Sequence, residues 1–328
     1  MAGSGTAHLR VEDKRVLTVE NLVVEFPAGK QTVHAVSGIS FDLIPGETLG
    51  IVGESGCGKS TAGRAIMQLP RPTSGEVVLD GIDLGGLSAG NLRQIRAQMQ
   101  MIMQDPISSL NPRRKVKHLI TEGLRIWGVK DRTKLEEMGR DMLNSVGLDP
   151  DMVWEKTPGE LSGGQCQRVC IARALMLKPK LLICDEPVSS LDVSVQAQIL
   201  NLLEETKREF EFTMIFIAHN MAVVKNISDR MMVMYLGKVC EVAPTPDVQH
   251  TALHPYTRLL LASIPDPNRD RNAEDEVEAI EGDLPSPLNP PSGCRFRTRC
   301  PLATERCAVE EPLLREVGTD HFVACHNV

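Results

Sequence analysis

The amino-acid sequence predicts an α/β fold in which helices cover both faces of a mainly parallel sheet. Three observations lead to this prediction: apolar strand segments alternate with amphipathic helical segments, one apolar strand runs through a glycine-rich loop into a helix, and another ends in two carboxylates. In folds of this kind the ligand chemistry takes place at the carboxyl ends of the strands. The loop and the carboxylates both follow predicted strands, so they are the first candidates for a functional site.

Runs of β-branched or alternating apolar residues predict the strands. These runs are residues 16–19, 22–26, 39–43, 48–52, 77–79, 99–103, 181–184, 213–218, 231–235 and 239–242. Residues from about 106 to 161 mix charges with apolar positions at helical spacing, which predicts a helical insert. The proline-rich, acidic stretch 265–291 predicts a solvated connector, and residues 1–15 predict a flexible N-terminus.

The composition limits the classes of function. With 328 residues, the chain is long enough for one large domain and a smaller appendage. Its 42% hydrophobic and 24% charged residues exclude a wholly disordered protein, and its net charge of -7 argues against nucleic acid as a partner. Residues 1–15 have no apolar run behind their charges, and no stretch of about 18 consecutive apolar residues occurs, so we expect neither a signal peptide nor a transmembrane helix.

Residues 53–61 fit the pattern G-x-x-x-x-G-K-[ST] between a predicted strand and a predicted helix. Glycines let successive backbone N–H groups turn toward phosphate oxygens, and the helix N-terminus adds positive potential. We expect Lys59 to contact the β- and γ-phosphates of ATP and Ser60 to ligate Mg²⁺. The alternative is a glycine turn with a surface lysine. The predicted phosphate site comprises Gly53, Ser55, Gly56, Cys57, Gly58, Lys59, Ser60 and Thr61.

Two carboxylates end the apolar strand 181–184. Asp185 suits a Mg²⁺ ligand acting through water, and Glu186 suits a group that orients and polarises the water attacking the γ-phosphate. An acidic pair after a strand is, by itself, more often a helix cap or a solvated turn. Its place downstream of the phosphate loop favours the catalytic interpretation.

Residues 161–165 read Leu-Ser-Gly-Gly-Gln, and with this motif the sequence resembles the ABC ATPases. The resemblance implies a P-loop NTPase (RecA-like) core with an antiparallel β subdomain and an α-helical subdomain at about 106–165. Ser162 and the two glycines open a helix, which offers hydroxyl and backbone donors to an anion. The resemblance implies that Ser162, Gly163, Gly164 and Gln165 serve the ATP held by the opposite subunit.

Further positions match the ABC family in order along the chain. Gln104 resembles the glutamine that contacts Mg²⁺ and the nucleophilic water, and His219 resembles the histidine that contacts the γ-phosphate. Residues 190–192, which end in Asp192, resemble the loop that crosses the dimer interface. Phe26 lies where the family commonly stacks an aromatic on adenine, although a core position is the alternative. Asn220 stands where the family usually has aspartate, which leaves rate and regulation open.

The C-terminal part resembles the extension of oligopeptide and dipeptide importer ATPases. The matching segments are residues 254–260 and 291–301, so the resemblance spans nearly the whole chain. It implies a nucleotide-binding domain over residues 16–245 and a small cysteine-rich C-terminal extension over residues 246–328.

Four cysteines in this extension follow the spacing C-x5-C-x6-C-x17-C: Cys294, Cys300, Cys307 and Cys325. Zinc ribbons usually have closer cysteine pairs, and four thiolates suit an iron–sulfur cluster equally well. The resemblance implies a [4Fe–4S] cluster here, with zinc as the alternative and free cysteines in a packed tail as the simplest case. A metal crosslink would give so short a tail a reason to be ordered, so we expect a structural role.

The resemblance implies a subunit that binds and hydrolyses ATP at the cytoplasmic face of the membrane. Its expected partners are a second ABC ATPase subunit, identical or paralogous, two transmembrane permease subunits, and an extracytoplasmic substrate-binding protein. The expected cargo is dipeptides or oligopeptides, with glutathione, haem or nickel chelates as alternatives. The alternative functions are an exporter ATPase, a soluble ABC ATPase of DNA repair or translation, and an iron–sulfur sensor.

Overall fold

A computed structural model describes residues 5–6, 8–10, 15–264 and 284–328. Most of the N-terminus predicted to be flexible therefore lies outside the described residues, as do residues 265–283 of the predicted connector. The contacts divide the chain into two compact units: Met1–Gly86 with Ile217–Val328, and Leu87–Phe216. In the described part, no helix is both long enough and apolar enough to cross a membrane.

The described part of the chain contains strands and helices that alternate irregularly along the sequence. The strands are β1 Leu17–Ala28, β2 Gln31–Leu43, β3 Thr48–Val52, β4 Ser74–Leu79, β5 Ile82–Asp83, β6 Met99–Ile102, β7 Leu181–Asp185, β8 Thr213–Ala218, β9 Arg230–Tyr235, β10 Lys238–Pro244, β11 Arg315–Gly318 and β12 His321–Val323. The helices are α1 Lys59–Ile66, α2 Ala89–Ile95, α3 Pro106–Ser109, α4 Val116–Ile126, α5 Arg132–Ser145, α6 Pro150–Val153, α7 Gly163–Leu175, α8 Val193–Phe210, α9 Met221–Ile227, α10 Thr245–Thr251, α11 Pro255–Ala262 and α12 Glu305–Val309. A short 3-10 helix covers Pro158–Glu160.

In the first unit, an antiparallel four-stranded sheet has the order β2-β1-β4-β5. The two strands predicted over residues 16–19 and 22–26 are one long strand, β1, so the prediction of a break was wrong. The pairing of β1 with β2 shifts register between Val19 and Leu22, and Asn21 adopts a positive φ of 48°. Such an irregularity bends a strand without ending it, which explains why the local pattern looked interrupted.

The same unit contains a second set of strands in the order β11-β12-β10-β9-β3. The buried strand β3 runs parallel to β9, and β9 turns back at Gly237 into β10 as an antiparallel pair, which confirms the strands predicted over residues 231–235 and 239–242. The tail strand β12 pairs with β10 through Glu241↔Val323 and Val242↔Phe322. The C-terminal extension therefore joins this sheet by backbone hydrogen bonds, a feature that sequence patterns did not predict.

In the second unit, β8, β7 and β6 are neighbours in that order, and β6 and β7 run parallel. All five residues of β7 are buried, as expected for a continuous apolar strand covered on both faces. Helices α3 to α6 and the 3-10 helix Pro158–Glu160 occupy the region 106–161 where a helical insert was predicted. Helix α8 buries Ile199, Leu202 and Leu203 on one face, at the spacing of an amphipathic helix.

Candidate nucleotide-binding and catalytic site

The glycine-rich loop after β3 has a positive φ at Gly53, Gly56 and Gly58, and two of these glycines also lie against the backbone of other segments. Gly53 has a φ of 156° and a Cβ there would lie 2.1 Å from the carbonyl oxygen of Met234. Gly58 has a φ of 102° and its Cβ would lie 2.2 Å from the carbonyl oxygen of Ala35. Backbone atoms cannot yield as a side chain can, so these glycines allow the close turn that a phosphate loop needs.

Lys59 is the first residue of α1, and its side chain is held within the loop. Its ammonium donates hydrogen bonds to the carbonyl oxygens of Gly53 at 2.7 Å and Glu54 at 2.8 Å. At 3% exposure it is buried, which contradicts the alternative of a surface lysine. An ammonium fixed at a helix N-terminus beside a glycine loop provides the positive potential that binds phosphate.

The remaining residues of the predicted phosphate site differ in exposure. Ser55 and Gly56 are exposed at the tip of the loop, while Ser60 and Thr61 lie half-buried in the first turn of α1. Cys57 is buried, and burial raises the pKa of its thiol, so this side chain is neutral at physiological pH. At the predicted phosphate site, the group that Cys57 can offer to an anion is therefore its backbone N–H.

The two carboxylates at the end of β7 differ in backbone geometry and surroundings. Asp185 ends the strand and is fully buried. Glu186 follows it with a positive φ of 48°, and its Oε2 accepts a hydrogen bond of 3.0 Å from Nε2 of Gln104. A non-glycine residue in the left-handed region carries strain and often marks a functional site. The structure thus brings together two of the three residues predicted to be catalytic.

The signature Ser162-Gly-Gly-Gln begins α7, as the sequence predicted. The Ser162 hydroxyl accepts from the backbone N–H of Gln165 at 3.3 Å, and the Gln165 side-chain oxygen accepts from the N–H of Ser162 at 3.0 Å. This is a capping box, which the S-x-x-Q spacing of residues 162–165 indicates. A Cβ on Gly164 would lie 2.9 Å from Cγ1 of Val195, so this glycine allows α7 and α8 to approach.

Asp192 caps α8, which adds a structural role to the interface role predicted for it. Its carboxylate accepts from the backbone N–H of Val195 at 3.0 Å and from the Ser194 hydroxyl at 2.6 Å. These hydrogen bonds, led by that from Ser194, lower the pKa of Asp192. The aspartate directly before a helical pattern is a signal that sequence reasoning could have used.

His219 and Phe26 belong to the first unit. His219 follows β8 and is exposed, and the next residue, Asn220, caps α9 by accepting from the backbone N–H of Ala222 at 2.9 Å. Asparagine thus keeps the capping role that aspartate would have at this position. Phe26 on β1 is 37% exposed, which contradicts the alternative of a core phenylalanine.

The four tail cysteines are not arranged as a metal-ligand set. Among residues 5–6, 8–10, 15–264 and 284–328, no group of three or more His, Cys, Asp or Glu side chains is placed to hold a metal ion. The thiols of Cys307 and Cys325 instead contact the Thr304 hydroxyl and the Asn327 N–H, both at 3.4 Å. The predicted [4Fe–4S] or zinc site on Cys294, Cys300, Cys307 and Cys325 therefore gains no support from this geometry.

Known proteins match this chain both in the segment that contains the phosphate loop and the signature motif and in the C-terminal segment. A family model described as "ABC transporter" matches residues 36–189, and one described as "Oligopeptide/dipeptide transporter, C-terminal region" matches residues 240–307. The oligopeptide transport ATP-binding protein OppF of Salmonella typhimurium is 49% identical and aligns over 97% of this chain and 98% of its own length. A putative peptide import ATP-binding protein of Brucella ovis is 46% identical over 94% of this chain and 97% of its length.

Solved structures show the same fold. A dimeric post-hydrolysis state of the ATP-binding cassette MJ0796, bound to ADP and Pi, matches with a TM-score of 0.64 and 27% identity, over 70% of this chain and 98% of that chain. CbiO1 from Clostridium perfringens matches with a TM-score of 0.64 and 28% identity, over 72% of this chain and 91% of its own. On these grounds the chain belongs to the ATP-binding proteins of the ABC transporter family, in its oligopeptide/dipeptide branch.

Proposed function

We propose that this chain is the subunit that hydrolyses ATP to power a peptide importer. The observation that carries the proposal is the hydrogen bond between Gln104 and Glu186 at the end of the buried strand β7, in a chain that also contains a glycine-constrained phosphate loop. An amide held against a carboxylate is suited to orienting a water molecule for attack on a phosphoryl group. The match of residues 240–307 to the C-terminal region of oligopeptide/dipeptide transporters supports peptides as the cargo.

In this proposal the phosphate loop binds the substrate. The backbone N–H groups of residues 55–61 and the Lys59 ammonium hold the triphosphate, and Lys59 exchanges its carbonyl partners for phosphate oxygens when ATP binds. Ser60, Gln104 and Asp185 are the residues that would hold Mg²⁺, which would neutralise charge on the phosphates. Phe26 is exposed, as a residue that stacks on adenine must be.

Hydrolysis is assigned to three side chains. Glu186 polarises the attacking water, Gln104 helps to orient it, and His219 donates toward the charge that develops on the γ-phosphate. The strained φ of Glu186 supports this role, because the surrounding structure fixes its direction. Exposure of His219 and Gln104 supports their access to a substrate.

The proposed partners follow from the family. The tip of α7, with Ser162, Gly163, Gly164 and Gln165, offers its donors to the ATP of a second ATPase subunit, identical or paralogous, and Asp192 lies in the loop that meets it. Two transmembrane permease subunits and an extracytoplasmic binding protein complete the importer. ATP binding closes the ATPase pair and hydrolysis reopens it, which shifts the permease between two states at the cytoplasmic face of the membrane.

Two measurements test the proposal. The first is Mg²⁺-dependent binding of ATP to the purified full chain and to Lys59→Ala; unchanged affinity in the variant overturns the proposed phosphate site. The second is ATP turnover by the chain co-purified with its permease, with dipeptides, oligopeptides, glutathione, haem or nickel chelates added through the binding protein. Stimulation by peptides supports the cargo assignment, and stimulation only by one of the others replaces it.

The [4Fe–4S] cluster, with zinc as the alternative, remains a proposal for the tail cysteines. Burial raises the pKa of Cys294 to about 11 and also raises the pKa of Cys300 and Cys325, so these thiols are protonated at physiological pH. Metal binding would have to displace those protons. Iron, sulfide and zinc determination together with the visible absorbance of anaerobically purified protein decides the matter, and protein that is free of both metals overturns the proposal.

A further inference from the structure

The C-terminal extension holds the phosphate loop at Glu54, from the backbone and from the side chain. The backbone N–H of Glu54 donates to the Tyr256 hydroxyl at 2.8 Å. The Glu54 carboxylate accepts from Nη1 of Arg299 at 2.8 Å. Glu54 occupies a position where the phosphate-loop motif accepts any residue, and both partners lie more than two hundred positions later in the chain.

The two tail residues that contact Glu54 are themselves rigidly packed. Tyr235, Tyr256 and Phe296 form a buried aromatic cluster with ring centroids 4.8 to 5.3 Å apart. The Arg299 guanidinium lies 5.8 Å from the Tyr235 ring centroid and donates to its hydroxyl at 3.3 Å. Because the Arg299 side chain is only 7% exposed, its ion pair with Glu54 is largely shielded from water.

A second set of contacts reaches the same loop by another route. Buried Arg295 donates to the Ser37 hydroxyl at 2.8 Å and to the carbonyl oxygen of Leu236. The next residue, Gly237, donates its backbone N–H to the carbonyl oxygen of Cys57 at 2.7 Å. The tail therefore supports the loop directly at Glu54 and, through the turn between β9 and β10, at Cys57.

The ion pair also has an electrostatic consequence for a loop that binds a triphosphate. Without Arg299, the negative charge of the Glu54 carboxylate on this loop would have lost its ion-pair partner. Like charges at a binding site lower the affinity for an anion, and more strongly where water is partly excluded. Arg299 thus both fixes the position of Glu54 and cancels its charge.

From these contacts we propose that the C-terminal extension sets the ATP affinity of this subunit, with Arg299 and Tyr256 as positioning residues that act through Glu54. The proposal rests on the proposed function, in which residues 53–61 bind the phosphates of ATP. If loss of the contacts reduces the population of the binding-competent loop to about one tenth, the apparent dissociation constant rises about tenfold. The rate at saturating ATP remains, because no catalytic group is changed.

The test measures the binding of Mg²⁺ and a non-hydrolysable ATP analogue to the full chain by calorimetry. Arg299→Gln should weaken binding about tenfold and Tyr256→Phe, which keeps the buried ring, about fivefold. Arg299→Lys should recover most of the affinity, because it keeps the charge and one donor. The double variant Glu54→Gln with Arg299→Gln should bind more tightly than Arg299→Gln alone, because the unpaired charge is gone.

Arg297→Gln is the matched control. Arg297 lies in the same tail segment, but in the part of the chain that the structure describes its guanidinium bonds only within the tail, to the Ser292 carbonyl oxygen at 2.9 Å and to the Ser292 hydroxyl. The Arg297→Gln variant should bind the ATP analogue with unchanged affinity. Equal effects of Arg297→Gln and Arg299→Gln would show that the tail acts only through its own folding, and additive effects of Glu54→Gln and Arg299→Gln would show that the pair is not coupled. Either result overturns the proposal.

Two further measurements separate this proposal from other causes. In the importer complex, Arg299→Gln should raise the KM for ATP and leave kcat within about twofold; a lowered kcat with unchanged KM overturns the positioning role. Lys59→Ala is run in the same binding assay. If Lys59→Ala abolishes binding while Arg299→Gln and Tyr256→Phe change nothing, only the role of the tail is wrong, whereas retained binding in Lys59→Ala removes the proposed function as well.

Discussion

Replacing Glu186 with glutamine separates ATP hydrolysis from ATP binding. The variant keeps the size of the side chain, and the glutamine carbonyl oxygen still accepts the hydrogen bond that Nε2 of Gln104 now donates to the carboxylate at 3.0 Å. What is lost is the negative charge that polarises the attacking water. Loss of a general base typically reduces turnover by about 10² to 10⁴, which raises the barrier by about 2.7 to 5.4 kcal/mol.

The assay is steady-state release of phosphate by the importer complex, with ATP binding measured in parallel on the same preparation. We expect turnover of Glu186→Gln to fall by at least about a hundredfold while ATP remains bound, because the phosphate loop is untouched. Glu137→Gln is the control, since it removes the same charge from an exposed position on α5 and should leave turnover unchanged. Turnover of Glu186→Gln within about tenfold of wild type would refute its assignment as the base.

Three further predictions concern stability. Ser162→Ala should lower the free energy of unfolding by about 1 kcal/mol in urea titrations, because α7 loses its cap. Gly164→Ala should lower it by about 1 to 3 kcal/mol, because the new Cβ would lie 2.9 Å from Cγ1 of Val195, whereas a Cβ at Gly159 meets open space. Burial lowers the pKa of His254 to about 3, so between about pH 6.5 and pH 3 the unfolded chain binds a proton that the folded chain does not. Protonation linked to His254 should therefore lower the free energy of unfolding of the wild type by about 1.4 kcal/mol for each pH unit as pH falls through this range. The free energy of unfolding of His254→Asn should fall less between pH 7.5 and pH 5.

Each of these predictions has an outcome that contradicts it. Ser162→Thr keeps a hydroxyl at the cap, so a Thr variant as unstable as Ala would show that the cap is not the cause. Equal urea midpoints for Gly164→Ala and Gly159→Ala would remove the packing argument. An acid dependence that is the same in wild type and His254→Asn would mean that His254 titrates normally in the folded protein.

Local patterns were sufficient to predict the strands that lead to the functional residues. Strands β3, β7 and β8 are fully buried and consist mainly of apolar residues, and such apolar runs can be recognised without knowing the neighbouring strands. The motifs that follow β3 and β7 could also be predicted from the sequence, for a reason that lies in their chemistry. Their chemistry requires particular residues at fixed spacing, so the glycines of the phosphate loop and the pair Asp185-Glu186 could be identified from the sequence.

The parts that could not be predicted depend on contacts between distant residues. The tail strand β12 has only three residues, His321–Val323, and pairs with β10 some eighty residues earlier. A three-residue strand has no measurable periodicity, so its pairing is visible only in the fold. The metal prediction failed to gain support for a related reason, because cysteine spacing limits which thiols can meet but does not fix where their sulfur atoms point.

The contact between Glu54 and Arg299 shows that the phosphate loop depends on residues that a motif match does not include. The motif requires glycines, a lysine and a hydroxyl because these groups contact phosphate or allow the backbone to turn, and it leaves the second position open. An acidic residue there is unfavourable beside a triphosphate unless its charge is cancelled, and in this chain the cancelling guanidinium comes from 245 residues away. A carboxylate that needs a distant partner makes the loop dependent on the tail, since loss of the tail contact changes both the shape and the charge of the loop. The second position, which carries no information for recognising the loop, is therefore a place where ATP affinity can be adjusted without altering a group that contacts ATP.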